Sequence, residues 1–588
     1  MNLNPKLLTA IILLGGTICS CNKNTQKTGS TSQPPNIILI MADDMGYSDI
    51  GCYGSEIRTP VLDGLATNGL RLSQFYNTAR CCPTRASLLT GLFPAQTGIG
   101  MMTDDNGLPG YRGDLNQQCV TIAEVLKTAG YATYMSGKWH VTNHFEEVDS
   151  LQHNWPRQRG FDKFYGTIIG AGSFWDPFRL ARDNTYITPE NDPDYQPNQY
   201  YYTDAISDNA VRYIDQHQQE AKKEDPNAAP PFFMYVAYTA AHWPLHAPEE
   251  EIAAYKGQYD AGFEPIRQKR FARLKEEGLI QEDWKMSEAV ARWDTMPDQA
   301  WHARNMETYA AMVTRMDKGI GKIVDALRER GELDNTLILF LQDNGACAEE
   351  VYWLGKMDDD EAVIAQNRVP MGKDELQLRM APLKTRSGVP LIVQSTAVMA
   401  GPDSSYHGYG PTWANVSNTP FRKFKHWTHE GGIATPLIVH WPAAVKAQGQ
   451  LRHQPGQLVD IMATCVDAAG ATYPTRHKNN DITPAEGVSL LPVFAKDGTL
   501  KRETLFFEHE GNRAIRKGNW KLVSKAHNRP GVYSKINQIP EGEWELFDLA
   551  KDRTEMNDLA RQHPAMVKEL SSTWQQWAAR TQTIPKPQ

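Results

Sequence analysis

The sequence predicts an α/β fold, in which a large mixed, mostly parallel sheet flanked by helices is followed by a smaller antiparallel sheet with a covering helix. Three observations support this prediction. Short, uninterrupted apolar runs end abruptly at polar residues, which is typical of parallel strands buried on both faces. Helical patterns alternate with these runs, as they do in α/β proteins. After about residue 480 the pattern changes to short strands with tight turns.

The composition allows a large enzyme and excludes a nucleic-acid-binding surface. The chain has 588 residues, of which 41% are hydrophobic, enough for one large core and a companion domain. The net charge of -8 shows none of the basic excess that binding to nucleic acid requires. Away from the N-terminus the cysteines are scattered, show no zinc-site spacing and are mostly expected to be buried thiols: Cys52, Cys81, Cys82, Cys119, Cys347 and Cys465.

The first 21 residues are interpreted as an export signal. Lys6 precedes an apolar run over residues 7–14, which is too short to span a bilayer as a helix. The run ends in Ile18-Cys19-Ser20-Cys21, which resembles a bacterial lipoprotein signal with Cys21 as the lipidated residue. Residues 22–35 are polar and predict a flexible tether. We expect a periplasmic or cell-surface lipoprotein that meets the membrane only through this anchor; plain secretion is the alternative.

Four apolar runs lead directly into reactive side chains. They cover residues 37–41, 132–135, 232–238 and 337–341, with helical patterns at 120–129 and 306–328. Ligands in open α/β sheets bind beyond the carboxyl ends of the strands, so these four ends predict one site. Residues 36–475 are therefore assigned to a catalytic domain.

The remaining residues, 480–588, predict a small α+β subdomain. Strands are expected at 503–509, 514–515, 520–524 and 544–548, with a hairpin turn at Gly518-Asn519. A last helix is expected over residues 564–580.

A short helix with a cysteine at its start carries the most information. In the segment from Cys81 to Gly91, Pro83 suits the first helical position and Gly91 the position just past the end. The free backbone N–H groups at such a helix start attract anions, and Arg85, one turn along, adds a fixed positive charge.

Two pairs of oxygen-bearing residues follow two of the predicted strands. Asp43 and Asp44 follow the first run, and Asp343 and Asn344 follow the last. Adjacent carboxylates at a sheet edge repel each other unless a cation or a proton intervenes. Ligation by oxygen alone indicates calcium or magnesium rather than zinc.

The sequence Cys-x-Pro-x-Arg followed by Leu-Thr-Gly resembles the signature of the type I formylglycine-dependent sulfatases, in particular the bacterial arylsulfatase-like members of the alkaline phosphatase superfamily. The resemblance implies an alkaline-phosphatase-like fold and a formylglycine that a separate maturation enzyme makes from Cys81, not Cys82. It also implies a calcium ion held by the two oxygen-bearing pairs and by modified Cys81, that is by Asp43, Asp44, Asp343, Asn344 and Cys81.

Further segments extend the resemblance to the residues that would surround a sulfate group. Lys138 and His140 lie in Gly-Lys-Trp-His, His242 lies in Ala-His-Trp-Pro, and Lys425 lies five residues before Glu-Gly-Gly. Together with Arg85 they are expected to hold the sulfate and to transfer protons. Three neighbours of Lys425 remain candidates for its role: Arg422, Lys423 and His426.

The predicted function is hydrolysis of a sulfate ester of a carbohydrate or an aryl alcohol. Substrate contacts are expected from His509, Asn512 and Arg513 in a turn of the C-terminal sheet, and from a Gly- and aromatic-rich wall at residues 406–413; ordinary surface loops are the alternative for both. Three other functions stay open. They are a formylglycine-dependent phosphonate or phosphodiester hydrolase, a dinuclear zinc phosphatase, which should use Ser or Thr and more His ligands, and a non-catalytic glycan-binding lipoprotein.

Overall fold

The four strands that are predicted to lead into the site lie side by side in the central sheet. The computed structural model describes residues 33–146, 151–224, 229–356, 368–446, 448–524 and 544–587. Within them, Pro34–Gln588 is one compact unit by its internal contacts. The predicted signal peptide and nearly all of the predicted tether lie outside the described residues, and the predicted domain boundaries stay predictions.

The strands, numbered in chain order, are β1 Asn36–Ala42, β2 Leu70–Tyr76, β3 Ala132–Gly137, β4 Lys163–Thr167, β5 Leu180–Arg182, β6 Thr185–Tyr186, β7 Phe232–Ala237, β8 Thr336–Gln342, β9 Ile392–Val393, β10 Ser405–Tyr406, β11 Ala434–His440, β12 Gln450–Arg452, β13 Gly456–Gln457, β14 Arg476–His477, β15 Asn480–Asp481, β16 Thr504–His509, β17 Asn512–Lys517, β18 Trp520–Ser524 and β19 Trp544–Asp548.

The α-helices of the described residues are α1 Pro60–Thr67, α2 Cys81–Thr90, α3 Pro94–Thr97, α4 Ile122–Lys127, α5 Tyr202–Glu224, α6 Glu249–Ala253, α7 Phe263–Glu276, α8 Gln299–Glu329, α9 Gly410–Ser417, α10 Glu430–Ile433, α11 Val459–Ala469, α12 Leu491–Ala495 and α13 Pro564–Arg580. Short 3₁₀ turns occur at Gly51–Tyr53, Trp293–Thr295, Leu333–Asn335 and Val351–Lys356.

The large sheet has the order β12-β2-β11-β8-β1-β7-β3-β4-β5-β6, and β13 also pairs with β2. Strands β8, β1, β7, β3 and β4 are parallel, whereas β11 runs antiparallel to β2 and β8. The predicted mixed, mostly parallel sheet is therefore confirmed. Because β11 runs the other way, the loop before it lies at the edge where the parallel strands end.

Side chains of β1 alternate between two hydrophobic cores, one on each face of the sheet. Ile38 and Ile40 join the core that contains α5 and α8, while Ile37 and Leu39 join the core that contains α2, α4 and α11. Covering both faces explains why these strands are continuous apolar runs in the sequence. Among the described residues, we find no helix with both the length and the apolar character needed to cross a membrane.

The C-terminal antiparallel sheet has the order β16-β17-β18-β19, and helix α13 covers it. The predicted turn at Gly518-Asn519 joins β17 to β18, and α13 has the predicted bounds. The predicted strand at 514–515 is longer, Asn512–Lys517, because it pairs with both neighbours along its whole length.

Candidate active site

The four strand ends converge as the sequence predicts. In the sheet, β8, β1, β7 and β3 are consecutive neighbours, so the residues that follow them meet at one edge. Asp343, Asp43, His242 and Lys138 each come from a different one of these strand ends. The loop before β11 brings Lys425 to the same edge, where its ammonium group lies 2.8 Å from a carboxylate oxygen of Asp44.

Helix α2 begins at Cys81, with Arg80 in extended conformation before it. Pro83 occupies the third helical position rather than the predicted first. This position is also tolerated, since the first four N–H groups of a helix have no partner within it. Gly91 ends the helix at a φ of 70°, and its N–H donates to the Ser87 carbonyl at 2.9 Å, as the sequence predicts. Every residue of α2 is buried.

The Cys81 sulfur lies in a polar pocket that stabilises a negative charge. A hydrogen bond from Cys82 lowers the pKa of the Cys81 thiol. Burial opposes this, but the charge of Lys138 and a hydrogen bond from His140 add to it, and the pKa lies well below its usual range. Burial raises the pKa of Cys82 instead. Cys81 and Cys82 are both free thiols in the part of the chain that the structure describes.

The oxygen-bearing residues form one buried cluster. The Asp44 N–H donates to Asp343 Oδ1 at 3.2 Å, and the Asn344 amide donates to Asp44 Oδ1 at 2.7 Å. Burial and the charge of Asp43 raise the pKa of Asp343 well above its usual range. Burial would also raise the pKa of Asp43, but the positive charges of its neighbours outweigh this and lower it.

Two oxygen atoms of this cluster show that it suits a hard cation. Asp43 Oδ1 and Asn344 Oδ1 are buried and have no hydrogen-bond partner among the described residues. Unpaired buried oxygens are costly unless a ligand satisfies them. Carboxylate and amide oxygens are the ligands that calcium uses, so these residues fit the predicted ion.

Buried positive charges surround the same carboxylates. Arg85 contacts Asp43 at 3.3 Å and Asp343 at 3.0 Å, and Lys138 contacts Asp43 at 2.5 Å. Burial would lower the pKa of Lys138, but the charge of Asp43 raises it. Both cations therefore remain charged in a site that excludes water.

Two histidines, which follow the neighbouring strands β3 and β7, lie at the site. His140 lies beside Cys81, and burial lowers the pKa of His140 to about 4, so its ring is neutral and able to accept a proton. His242 Nδ1 lies 2.6 Å from the Trp243 carbonyl oxygen, which fixes the ring proton on Nδ1. His242 Nε2 then faces Asp44 at 3.2 Å and the Lys425 ammonium at 3.4 Å.

The structure distinguishes Lys425 from its three neighbours. Arg422 pairs with Glu545 of β19 at 2.8 Å, and Lys423 lies over the Trp427 ring. His426 is held between Glu349 at 3.0 Å and Glu510 at 2.7 Å. Of the four candidates, Lys425 is the one that contacts the oxygen cluster.

Of the three predicted substrate-binding residues of the C-terminal sheet, two lie near His426 and the third lies against the C-terminal helix. His509 and Asn512 face each other across the β16–β17 hairpin, and Asn512 donates to the His426 carbonyl at 3.0 Å. Arg513 lies over Trp544 and Trp574 instead, against the C-terminal helix. Residues 406–413 are almost entirely buried, so the alternative of a surface loop there is wrong.

One residue of the site has no signal in the sequence. Glu349 lies in the loop after β8 and accepts hydrogen bonds from Arg80 at 2.9 Å and from the Trp243 indole at 2.8 Å. It also contacts His426 at 3.0 Å, and it lies 3.8 Å from Lys425. No periodicity or spacing marks a loop glutamate seven residues beyond the end of β8.

Comparison with known proteins shows the class of this fold and site. A family model described as Sulfatase matches residues 35–471, and a second, described as N-sulphoglucosamine sulphohydrolase, C-terminal, matches residues 421–580. Among solved structures, Ps i-CgsB in complex with k-i-k-neocarrahexaose has a TM-score of 0.60 at 24% identity and covers 93% of both chains. A sulfatase from Pseudoalteromonas sp. has a TM-score of 0.56 at 19% identity, covering 94% of this chain and 91% of its own. The fold is the alkaline-phosphatase-like fold of sulfatases.

Characterised and uncharacterised relatives agree with this class. An uncharacterized sulfatase of Schizosaccharomyces pombe is 32% identical over 95% of both chains. An arylsulfatase of Klebsiella aerogenes is 32% identical over 78% of this chain and 92% of its own. An N-acetylgalactosamine-6-O-sulfatase of Bacteroides thetaiotaomicron is 27% identical over 96% of both. The chain belongs to the sulfatase family and is a sulfuric ester hydrolase.

Proposed function

We propose that this sulfatase hydrolyses sulfate esters of carbohydrates or aryl alcohols with a formylglycine made from Cys81 and a calcium ion held by Asp43, Asp44, Asp343, Asn344 and modified Cys81. The observation that carries the proposal is the position of Cys81, at a buried helix start with Arg85, Lys138 and His140 around it. When present, the hydrated aldehyde supplies a hydroxyl nucleophile and the calcium ion polarises the oxygens bound to it.

The residues of the chain have separate tasks in this reaction. Arg85, Lys138 and Lys425 hold the sulfate oxygens and offset the negative charge that develops on them. His242 and Lys425, which lie within hydrogen-bonding distance of each other, deliver a proton to the leaving oxygen. His140 is neutral and lies beside Cys81, so it would be the residue placed to accept a proton from a group at position 81.

The state of residue 81 tests the proposal. Peptide mass spectrometry of protein from a host with the maturation enzyme should show an aldehyde or its hydrate at residue 81 and an intact thiol at Cys82. Cys81→Ala should abolish turnover, whereas Cys82→Ser, the matched neighbour, should retain substantial activity. Full activity in protein whose Cys81 is an unmodified thiol contradicts the proposal.

The metal and the ester class need separate measurements. Elemental analysis of active protein should give stoichiometric calcium, and stoichiometric zinc without calcium would reject the proposed ligands. Rates on a sulfate ester and a phosphate diester with the same leaving group separate a sulfatase from a formylglycine-dependent phosphodiester hydrolase. A panel of sulfated sugars and an aryl sulfate identifies the alcohol.

Export and anchoring at Cys21 form part of the same proposal, supported by the sequence of the first 21 residues. The mature protein would then carry lipid at Cys21 and meet extracellular sulfated glycans. Detergent partitioning compares the unchanged protein with Cys21→Ala and with Cys19→Ala as the matched control. Partitioning of all three into the aqueous phase would indicate plain secretion.

A further inference from the structure

Exposed apolar side chains concentrate on one segment of the chain. Of nine large apolar side chains that are exposed among the described residues, seven lie between residues 351 and 399. We call the described parts of this region, 351–356 and 368–399, the apolar segment. Large exposed apolar patches commonly mark binding sites. The segment begins nine residues after β8 ends and two residues after Glu349, which lies 3.8 Å from Lys425.

The apolar segment packs against Trp243. Val351 and Leu354 share a small hydrophobic cluster with Trp243 and Tyr406, separate from the two main cores. The Trp353 ring meets the Trp243 ring edge to face, with centroids 6.4 Å apart and an interplanar angle of 86°. Trp243 is nearly buried, whereas Trp353 is 41% exposed. Trp353 thus presents a free ring surface that is supported from behind by a buried ring.

Trp243 in turn contacts the groups that deliver the proton. Its ring centroid lies 4.4 Å from that of His242, and its indole N–H donates to Glu349 Oε2 at 2.8 Å. The same Glu349 oxygen lies 3.8 Å from the Lys425 ammonium. The exposed ring of Trp353 is therefore one aromatic contact away from the proton donors. The alcohol part of a sulfate ester must occupy this side of the sulfate, because the leaving oxygen has to meet those donors.

We propose that Trp353, backed by Trp243, forms a wall that stacks against the ring of the leaving alcohol. This inference rests on the proposed function and names the part of the substrate that the apolar segment binds. The ligand chemistry is the flat apolar face of a six-membered ring, which both an aryl group and the C–H face of a sugar offer. The chain of ring contacts from Trp353 through Trp243 to His242 favours the substrate over a second protein as the occupant.

Kinetics and binding of two variants test the wall. Trp353→Ala should lower kcat/KM about tenfold for 4-nitrophenyl sulfate and for sulfated monosaccharides, mainly by raising KM, and Trp353→Phe should restore most of the loss. The inhibition constant of inorganic sulfate, which has no ring, should change less than twofold. Tyr352→Ala is the matched control, because Tyr352 is the adjacent exposed aromatic residue, and it should leave all values unchanged.

Binding is also measured in a Cys81→Ala background, from the quenching of tryptophan fluorescence by 4-nitrophenyl sulfate. If the proposed chemistry is wrong, the unchanged protein shows no turnover. An about tenfold weaker binding of 4-nitrophenyl sulfate by Trp353→Ala would still support the wall. Loss with the aryl ester alone, or with the sugar sulfates alone, supports the wall and identifies the ring. The proposal is overturned if Trp353→Ala leaves both KM and the binding of 4-nitrophenyl sulfate unchanged. It is also overturned if Trp353→Ala weakens inhibition by inorganic sulfate as much as it weakens binding of the esters. A variant that changes only the self-association of the protein overturns it too, since the surface would then join two copies of the chain.

Discussion

Individual oxygen atoms of the site are shared among several donors. The Asp44 carboxylate accepts hydrogen bonds from Lys425 at 2.8 Å and from the Asn344 amide at 2.7 Å, and His242 Nε2 lies 3.2 Å from it. Burial would lower the pKa of Lys425, but the negative charges of Asp44 and Glu349 raise it well above its usual range. Burial lowers the pKa of His242. The ammonium group therefore retains its proton and can donate it to His242 Nε2 or to an oxygen bound beside it, while the imidazole stays neutral.

The proposed proton transfer predicts a dependence on the leaving group. We expect His242→Gln to lower kcat on sulfated sugars by about 10²–10⁴, the usual contribution of general acid catalysis. The loss on 4-nitrophenyl sulfate should be much smaller, because nitrophenolate departs without a proton. Steady-state kinetics on both substrates measures this, with the exposed His563→Gln as the matched control. Equal losses on the two substrates would show that His242 does not act on the leaving group.

A second histidine, outside the reaction centre, predicts how stability depends on pH. His246 Nε2 lies 2.6 Å from the Ser405 carbonyl oxygen, and His246 Nδ1 accepts the Phe174 N–H at 3.4 Å, so the folded protein holds the neutral ring. Burial lowers the pKa of His246 from 6.5 to about 4. Between these two values the unfolded chain binds the proton and the folded protein does not, so stability falls as the pH falls.

His246→Gln should weaken this dependence, since Gln keeps one donor and one acceptor without titrating. Between pH 6.5 and pH 4.5 the unchanged protein should lose about 2–3 kcal/mol more of its unfolding free energy than the variant does. Chemical denaturation at the two pH values measures the difference. Identical losses in both proteins would contradict the assignment of a neutral buried ring.

At the scale of secondary structure, the sequence predicts the strands that are apolar throughout and misses those that are not. Strands β1, β3, β7 and β8 are predicted to within two residues. Strand β2 contains Arg71 and Gln74, which interrupt its apolar pattern. Strand β11 contains Pro436, which normally argues against a central strand. The structure accommodates this proline at a shift of register between Thr435 and Leu437.

The candidate site is predictable to a similar extent. Side chains that follow predicted strands or lie in the helix start can be placed from the sequence, because sheet topology brings them to one edge. Glu349 cannot, because the path of a loop depends on tertiary contacts rather than on local pattern. The position of Arg513 is also unpredictable from the sequence, because the face of the C-terminal sheet on which its side chain lies depends on tertiary contacts. In the structure it lies over Trp544 and Trp574.

Close contact between two loops predicts a sensitive position at Gly345. Its N–H donates to the Gly432 carbonyl at 3.0 Å, and a Cβ atom there would lie 1.8 Å from the Gly431 carbonyl oxygen. Gly345→Ala must therefore separate the loop of Asn344 from the loop of Lys425. We expect calcium affinity and kcat/KM each to fall at least tenfold, as measured by calcium titration and steady-state kinetics.

The matched control for this substitution is Gly64→Ala in helix α1. A Cβ atom at Gly64 meets no atom within 4 Å. This variant should keep calcium affinity and activity, and it should be slightly more stable, because alanine restricts the unfolded chain. Unchanged calcium binding in Gly345→Ala would show that the loop contact does not position the ligands.

At the scale of the whole molecule, a buried charge network joins the C-terminal sheet to the catalytic region. Lys521 of β18 contacts Glu430 of α10 at 2.9 Å and Glu555 at 2.8 Å, and Arg553 contacts Glu430 at 2.7 Å. All four side chains are buried. Burial would raise the pKa of Glu430, but the charges of Lys521 and Arg553 lower it to about 2. Glu430 also starts the turn that leads from Lys425 into β11.

Removing the central cation should therefore destabilise the entire protein. Lys521→Met leaves Glu430 and Glu555 buried with less compensation, which typically costs about 3–5 kcal/mol. Chemical denaturation measures this cost, and limited proteolysis shows whether the C-terminal sheet detaches first. The matched control is Lys551→Met, whose surface pair with Asp548 should contribute less than about 1 kcal/mol. Equal stabilities of the two variants would contradict a structural role for the network.

Cys81 exposes only 2% of its surface, beneath a helix that is buried from end to end. On the proposed function, an enzyme that oxidises this sulfur would have to bring its own catalytic groups to it, and the burial of Cys81 in the folded chain restricts their access. Conversion and folding would then compete in time, with slow folding yielding active molecules and rapid folding trapping inert ones. Native thiol protein should stay unconverted when mixed with the maturation enzyme, whereas a peptide of residues 76–91 should be converted. Under this scheme, the fraction of active enzyme is set during synthesis, and inactive molecules cannot be converted after they have folded.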